Sequence, residues 1–274
     1  MATGRAVCIG MNEVDAGQYG SSFRLPGCEA DARAMADLLR GPTYQRPVVL
    51  ASALATRESV AAAINTARLA TRAGDLFVLT YSGHGIQVES LTGEEIDGMD
   101  ECWCLHDHPV IDNEIREWLR PFPVDSRVLV ISDSCHSGTI LSVRTALTMR
   151  GMDGGGLPPI KELPKETVAY LYRRDPRFYD SRLQAAVVPL KALDASVLLM
   201  SACQDSQTTR SGLPNSEYTT AVLAALKESP RSYTAVAARV AALVPADRTP
   251  EFDVSGVTSI KGSPPFPEQV PFAV

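Results

Sequence analysis

Two apolar runs constrain this 274-residue chain more than anything else in it. Leu76-Phe77-Val78-Leu79 and Val128-Leu129-Val130-Ile131 are continuous rather than alternating, and each stops abruptly in small polar residues. A strand that is apolar at every position must be covered on both faces, which points to an interior strand of a parallel sheet. Loops at the carboxyl ends of such strands gather reactive groups. The first run leads into Ser82-Gly83-His84-Gly85 and the second into Asp133-Ser134-Cys135-His136-Ser137-Gly138. The reading to test is a cysteine and a histidine on adjacent strand ends.

Weaker signals supply the order of the remaining elements. Residues 5–10 and 48–50 read as strands, 76–82 and 127–132 as the two buried ones, and 196–201 as a fifth. Residues 102–106 suggest a short strand and 250–256 an edge strand. Helical spacing falls at 28–39, at 57–71 behind a Thr56 N-cap, at 112–119 with Asp112 as cap, and in the Ala-rich stretches 216–227 and 232–243. The alternation predicts an α/β fold, a mostly parallel sheet of about six strands between helices, in one domain over 1–274. Residues 139–186 interrupt it with Gly and Pro, and read as an inserted flexible loop. Residues 258–274 form a Pro-rich arm that packs extended or frays.

Composition excludes some classes. A net charge of -6 gives no electrostatic case for nucleic acid or an anionic membrane surface. No run of about 18 apolar residues suggests a membrane span, and no signal-peptide core precedes the first strand. The six cysteines lie in or beside regular elements, so free thiols in the cytoplasm are expected.

The motifs are specific together. Gly83-His84-Gly85, followed 51 residues later by Cys135 in Asp133-Ser134-Cys135-His136-Ser137-Gly138, resembles the metacaspase branch of the caspase-like cysteine peptidases. Gly27 to Ala32, Asp97 to Glu101 and Ser201 to Thr208 extend the likeness in order. It covers roughly residues 5 to 225. The chemistry suits these residue types. Cys135 would be the nucleophile, and a free thiol of pKa about 8.5 needs a base near neutral pH. His84 would be that base, with His136 ranked far below it because neighbouring side chains on a turn diverge. Backbone N–H groups of Gly85 and Cys135 would form the oxyanion hole, and Gly83 and Gly85 would let a substrate carbonyl approach.

The resemblance implies cleavage after Arg or Lys of protein or peptide substrates. It assigns the pocket for that residue to Cys28, Asp31, Ser82 and Asp133; Asp205 and Gln207 are secondary candidates around its mouth, with a structural role as the favoured alternative. Two carboxylates suit a guanidinium or ammonium by charge-assisted hydrogen bonds. The 139–186 loop carries Lys161 and Lys165 besides several arginines; Arg144, Arg150, Arg173, Arg174 and Arg177 are expected processing sites of a zymogen, cut by the chain itself or by a partner protease. No cofactor is expected to be required. Many metacaspases need calcium; Asp100 and Asp112 match weakly, but Asn113 and Ser142 stand where further acids are usual, so little calcium dependence is expected. Cys102, Cys104, His106 and His108, each about 6.6 Å from the next on a strand, fit no zinc motif. A monomer is expected. The rival reading is a caspase-fold regulator or scaffold with little proteolysis of its own.

Overall fold

The structure is a computed structural model, and it describes residues 1–89, 99–134, 160–179, 181, 192–202, 209–256 and 263–274, with the backbone alone at Glu89, Met99, Asp100 and Lys165. In chain order the strands are β1 (Gly4–Gly10), β2 (Val48–Ala51), β3 (Leu76–Ser82), β4 (Gly85–Glu89), β5 (Met99–Cys104), β6 (Pro109–Ile111), β7 (Arg127–Asp133), β8 (Ser196–Ser201) and β9 (Glu251–Gly256). The helices are α1 (Ala16–Tyr19), α2 (Cys28–Leu38), α3 (Arg57–Ala70), α4 (Asp112–Leu119), α5 (Lys165–Arg174), α6 (Glu217–Lys227) and α7 (Tyr233–Leu243).

The main sheet has the order β2-β1-β3-β7-β8-β9, parallel throughout except for the antiparallel edge strand β9. Its alternation explains the continuous apolar runs. Phe77, Leu79, Val128, Val130, Val197 and Leu199 join one core with Val60 and Ile64 of α3 and Ile115 of α4. Leu76, Val78, Leu129, Ile131, Leu198 and Met200 join a second core with α2, α6 and α7. Each central strand therefore feeds two cores at once, which requires an apolar residue at nearly every position.

β1 has β2 on one side and β3 on the other, so the chain leaves the sheet in opposite directions from neighbouring strand ends. That leaves a crevice at their carboxyl ends. β3 and β7 pair in register from Leu76–Arg127 to Ser82–Asp133, so both motif-bearing loops start side by side. The amino end of α2 presses into the same crevice. A Cβ on Gly10 would stand 2.3 Å from the Cys28 carbonyl oxygen, and one on Gly27, itself at φ +91°, 1.9 Å from that of Gly212. Larger residues at either place would push α2 away.

The structure differs from the sequence reading in four places. A second, antiparallel sheet, β4-β5-β6, was not anticipated beyond one short strand, because its strands are short and begin directly after the histidine. β5 ends at Cys104, so His106 and His108 lie beyond it and not on one strand face. Asp112 is the first residue of α4 rather than its cap: β6 runs straight into the helix, and Asp112 Oδ1 accepts from the Asn113 N–H at 2.6 Å. Within the inserted segment, Lys165–Arg174 is helical and buries Leu171, where prolines nearby suggested irregular chain. The arm, over 263–274, packs: Phe266 lies edge-on to Tyr233, and the Phe272 N–H donates to the Tyr233 hydroxyl at 2.8 Å. Among the described residues no helix is long and apolar enough to cross a membrane.

Candidate active site

His84 stands two residues beyond the end of β3 and is 5% exposed. Its carbonyl is pinned by the Tyr81 hydroxyl at 2.7 Å and the Cys104 N–H at 3.0 Å. Nε2 lies 2.8 Å from the Phe23 carbonyl oxygen, so Nε2 carries the proton and donates. The lone pair is then on Nδ1, which has no hydrogen-bond partner among the described residues. Burial foremost, and the nearby Lys161 charge, lower the His84 pKa to about 4, against the opposing pull of the Phe23 and Lys161 carbonyls. At neutral pH the ring is an uncharged base. Gly83 is also required by packing: a Cβ there would meet the Tyr81 hydroxyl at 2.5 Å and Met11 at 2.9 Å.

Beside it lies an acidic chamber. Asp31, one turn into α2, accepts from the Ser82 hydroxyl at 2.7 Å, the Asn215 amide at 2.9 Å and the Ser216 N–H at 3.0 Å. Asp133, at the end of β7, accepts from the hydroxyls of Ser216 and of Thr219, the latter at 2.7 Å. Cys28 is fully buried next to them, and its thiol pKa is pushed up to about 11, chiefly by burial. It is an inert wall rather than a second nucleophile. Burial also raises the Asp31 carboxyl above its ordinary value, with the Asp133 charge adding to that and Lys161 opposing it.

The chamber is full. Lys161, with no exposed surface, places Nζ 2.8 Å from Asp133 Oδ1, 2.8 Å from the Ser82 hydroxyl and 3.0 Å from the Asp133 carbonyl oxygen. The last two are hydrogen bonds that the ammonium donates, and the first is an ion pair. Asp31 Oδ2 stands 3.7 Å away as a second counter-charge. Burial works against the charge on Lys161, but Asp133, then Cys28 and Asp31, outweigh it and raise its pKa. The backbone of Lys161 is held as well: its carbonyl accepts from the Gly85 N–H at 2.9 Å, and its N–H donates to the Thr209 carbonyl at 3.0 Å.

The caspase domain profile matches residues 3–263. The chain belongs to the caspase-domain family. Metacaspase-1 of Mycosarcoma maydis is 33% identical over 160 residues, 54% of this chain and 39% of that protein. Metacaspase-3 of Arabidopsis thaliana is 33% identical over 153 residues, 51% of this chain and 41% of that protein. The chain thus matches well under two thirds of the length of these relatives. Among solved structures, protein GSU0716 of Geobacter sulfurreducens is 35% identical with a TM-score of 0.82, covering 99% of each chain. Caspase-1 of Spodoptera frugiperda, at 12% identity and a TM-score of 0.55 over 93% of this chain and 86% of its own, shares the fold.

Within this caspase domain the structure brings Cys28, Asp31, Ser82 and Asp133 around one ammonium, with His84 and Gly85 beside it. Cys135, His136, Arg144, Arg150, Asp205 and Gln207 lie outside the described residues, as does the side chain of Asp100. Arg173, Arg174 and Arg177 are exposed at and beyond the end of α5, away from any carboxylate chamber. Asp112 is buried at the start of α4. Among the described residues no group of three or more His, Cys, Asp or Glu side chains could hold a metal ion. The sequence reading missed Asn215, Ser216 and Thr219, which aim both carboxylates; Ser216 as N-cap of α6 was the available signal. It also missed that Lys161, unlike the exposed Arg173, Arg174 and Arg177, is buried against acids.

Proposed function

We propose that this caspase domain is a cysteine endopeptidase that cuts after Lys or Arg. The observation that carries this is the chamber of Asp31, Ser82 and Asp133, which holds a lysine side chain of the chain's own, its ammonium donating to the Ser82 hydroxyl and the Asp133 carbonyl and ion-paired with the Asp133 carboxylate. Such a site recognises a substrate side chain by charge-assisted hydrogen bonds, and an acidic side chain would meet two carboxylates there. A guanidinium reaches further than an ammonium, toward Asp31, which Lys161 leaves at 3.7 Å.

Cys135 supplies the nucleophile. His84 Nδ1 takes its proton and returns it to the leaving amine, while the Phe23 carbonyl fixes the ring through Nε2. The Gly85 N–H, already on a peptide carbonyl, is one oxyanion donor and the N–H of Cys135 the other. The chain is made as a zymogen, since its own segment fills the chamber. No calcium is needed for the chemical step. Fluorogenic peptides ending in Arg, Lys, Asp or Asn, assayed with wild type and Cys135→Ala, test this. Turnover of the Arg and Lys peptides only, lost in Cys135→Ala and unaffected by a chelator, is expected. Preference for Asp overturns the pocket assignment, and turnover that survives Cys135→Ala overturns the nucleophile.

A further inference from the structure

We propose that Trp103 and Tyr81 are positioning residues for the reaction: stacked on each other, they tie the loop that carries His84 to the strand end that leads into Cys135. This rests on the cysteine-peptidase reading above. Tyr81 of β3 and Trp103 of β5 lie ring on ring, 4.6 Å between centroids and 7° from parallel. Both are buried, and each has one polar atom. The Tyr81 hydroxyl shares its proton between the carbonyls of His84 at 2.7 Å and Cys104 at 3.0 Å. Burial foremost, then Cys104 and Cys28, raise its pKa, so it stays a donor. The Trp103 Nε1–H donates to the Ser132 hydroxyl at 3.0 Å, and Ser132 Oγ is hydrogen-bonded to Ser134 Oγ at 3.3 Å. Both serines are fully buried, and Ser134 immediately precedes Cys135.

A buried indole must pair its N–H somewhere, and a tryptophan that only filled the core could do so within its own sheet. Trp103 does not. Its backbone pairs with Gly85 in the second sheet, yet its indole reaches β7 of the main sheet. Ser132 stands opposite Tyr81 in the β3–β7 register, so the two rings bridge adjacent strands just before both motifs begin. His84 and Ser134 are thereby referred to one rigid object instead of two independent loops. A nucleophile and its base must meet within hydrogen-bond reach, and a misplacement of about 1 Å can cost about 100-fold in rate. The second sheet, which begins next to His84, then has a task in the reaction: it carries the ring that holds the two strand ends in step.

Trp103→Phe, Ser132→Ala, the two combined, and Tyr81→Phe are compared with wild type. Each removes a hydrogen bond, and Ser132→Ala and Tyr81→Phe each remove a single oxygen. Hydrolysis of Arg and Lys peptides is read in its linear phase as kcat and KM per reactive Cys135, counted by iodoacetamide labelling with mass spectrometry, and the labelling rate of Cys135 is read at pH 7. Each single variant should lower kcat about tenfold with KM within about twofold, keep Lys/Arg selectivity, and slow labelling of Cys135 by a similar factor. Trp103→Phe combined with Ser132→Ala should be no slower than either alone, because both break the same bond. A normal kcat in Ser132→Ala beside a slow Trp103→Phe would mean that the indole only fills space, and it overturns the inference. So does a loss confined to KM or to the fraction of reactive Cys135. Where Trp103→Phe fails to fold, Ser132→Ala and Tyr81→Phe decide by themselves. No peptide turnover by wild type overturns the peptidase reading instead; the labelling rates still decide, and equal rates in wild type and variants overturn the positioning role.

Discussion

Buried charge sits at both ends of the central strands, and the two ends are built differently. At the amino ends, Arg5 of β1 pairs with Asp75, just before β3, at 2.7 Å. Asp75 also accepts from the Thr3 and Arg72 N–H groups at 2.8 and 2.9 Å. Burial would raise its pKa, but these donors and Arg5 overcome that and hold the carboxyl below its ordinary range. At the carboxyl ends, Ser82 of β3 and Asp133 of β7, with Asp31 of α2, hold Lys161. Both ends bear the cost of desolvating ions. At the base the cation and anion are both anchored to the sheet, so they separate only if strands do. At the site the cation arrives on another segment, and it can regain water by a local movement that leaves the sheet whole. One end is a brace and the other a plug.

The sharpest way to break this comparison is to remove one carboxylate at each end. Asp75→Asn leaves Arg5 buried with no counter-charge, which costs about 4 kcal/mol of folding stability. Thermal and denaturant unfolding should show it, with Lys/Arg selectivity unchanged. Asp133→Asn should lower kcat/KM for Lys and Arg peptides by about 100-fold, since a buried charged hydrogen-bond partner is lost. Its loss of stability should be smaller than that of Asp75→Asn, because Lys161 can leave. Equal losses from the two variants would mean that Lys161 is as integral as Arg5, and the distinction between brace and plug would fall.

The ends also differ in how far the sequence revealed them. The six-stranded sheet was legible because each central strand serves two cores, and that demand writes itself as an unbroken apolar run at 76–79 and 128–131. β4 and β6 left no such trace: five and three residues long, they pack in a small second sheet. Asp31, Ser82 and Asp133 were legible through motifs around two strand ends and one helix start. Asn215, Ser216 and Thr219 were not, because their role arises from contacts to residues 83 to 185 positions away. Lys161 looked like any other base in a Gly/Pro-rich stretch. Only the fold separates it from the exposed Arg173 and Arg174, by burying it against Asp133.

A second difference concerns pH. The His84 pKa is about 4 against an ordinary 6.5, with burial first and the Lys161 charge behind it. Above pH 6.5 neither folded nor unfolded chain binds a proton there. Between 6.5 and 4 the unfolded chain binds one that the folded chain refuses, so stability falls as pH falls through that window. The shift of 6.5 to about 4 is worth about 3 kcal/mol at the lower limit. Unfolding measured from pH 7 to 4 should show this slope in Cys135→Ala, used to prevent self-cleavage, and lose it in a Cys135→Ala, His84→Gln double variant. Adding Lys161→Gln instead should shrink the slope, because one cause of the shift is gone. At the base end the Asp75 carboxyl is held below its ordinary range and so adds nothing to this slope; an unchanged slope in the His84 variant would place the sensitivity elsewhere.

The smallest expected effect tests whether the brace and the plug communicate through the strands that join them. Arg127, the first residue of β7, donates to the Gln269 side-chain oxygen at 2.7 Å, the Ala273 carbonyl at 2.9 Å and the Gly74 carbonyl at 3.0 Å. Gln269→Ala removes one of the three and leaves the guanidinium partly satisfied, so about 1 kcal/mol of stability should be lost. Phe266 and Phe272 still pack on Tyr233, which keeps the arm docked. Asp133 lies at the far end of the same strand, six residues and about 20 Å away by the strand rise. A rigid, doubly buried strand should pass nothing on, leaving Lys/Arg selectivity and peptide turnover unaltered. A changed turnover in Gln269→Ala would show that the base end sets how firmly the carboxyl end holds Lys161.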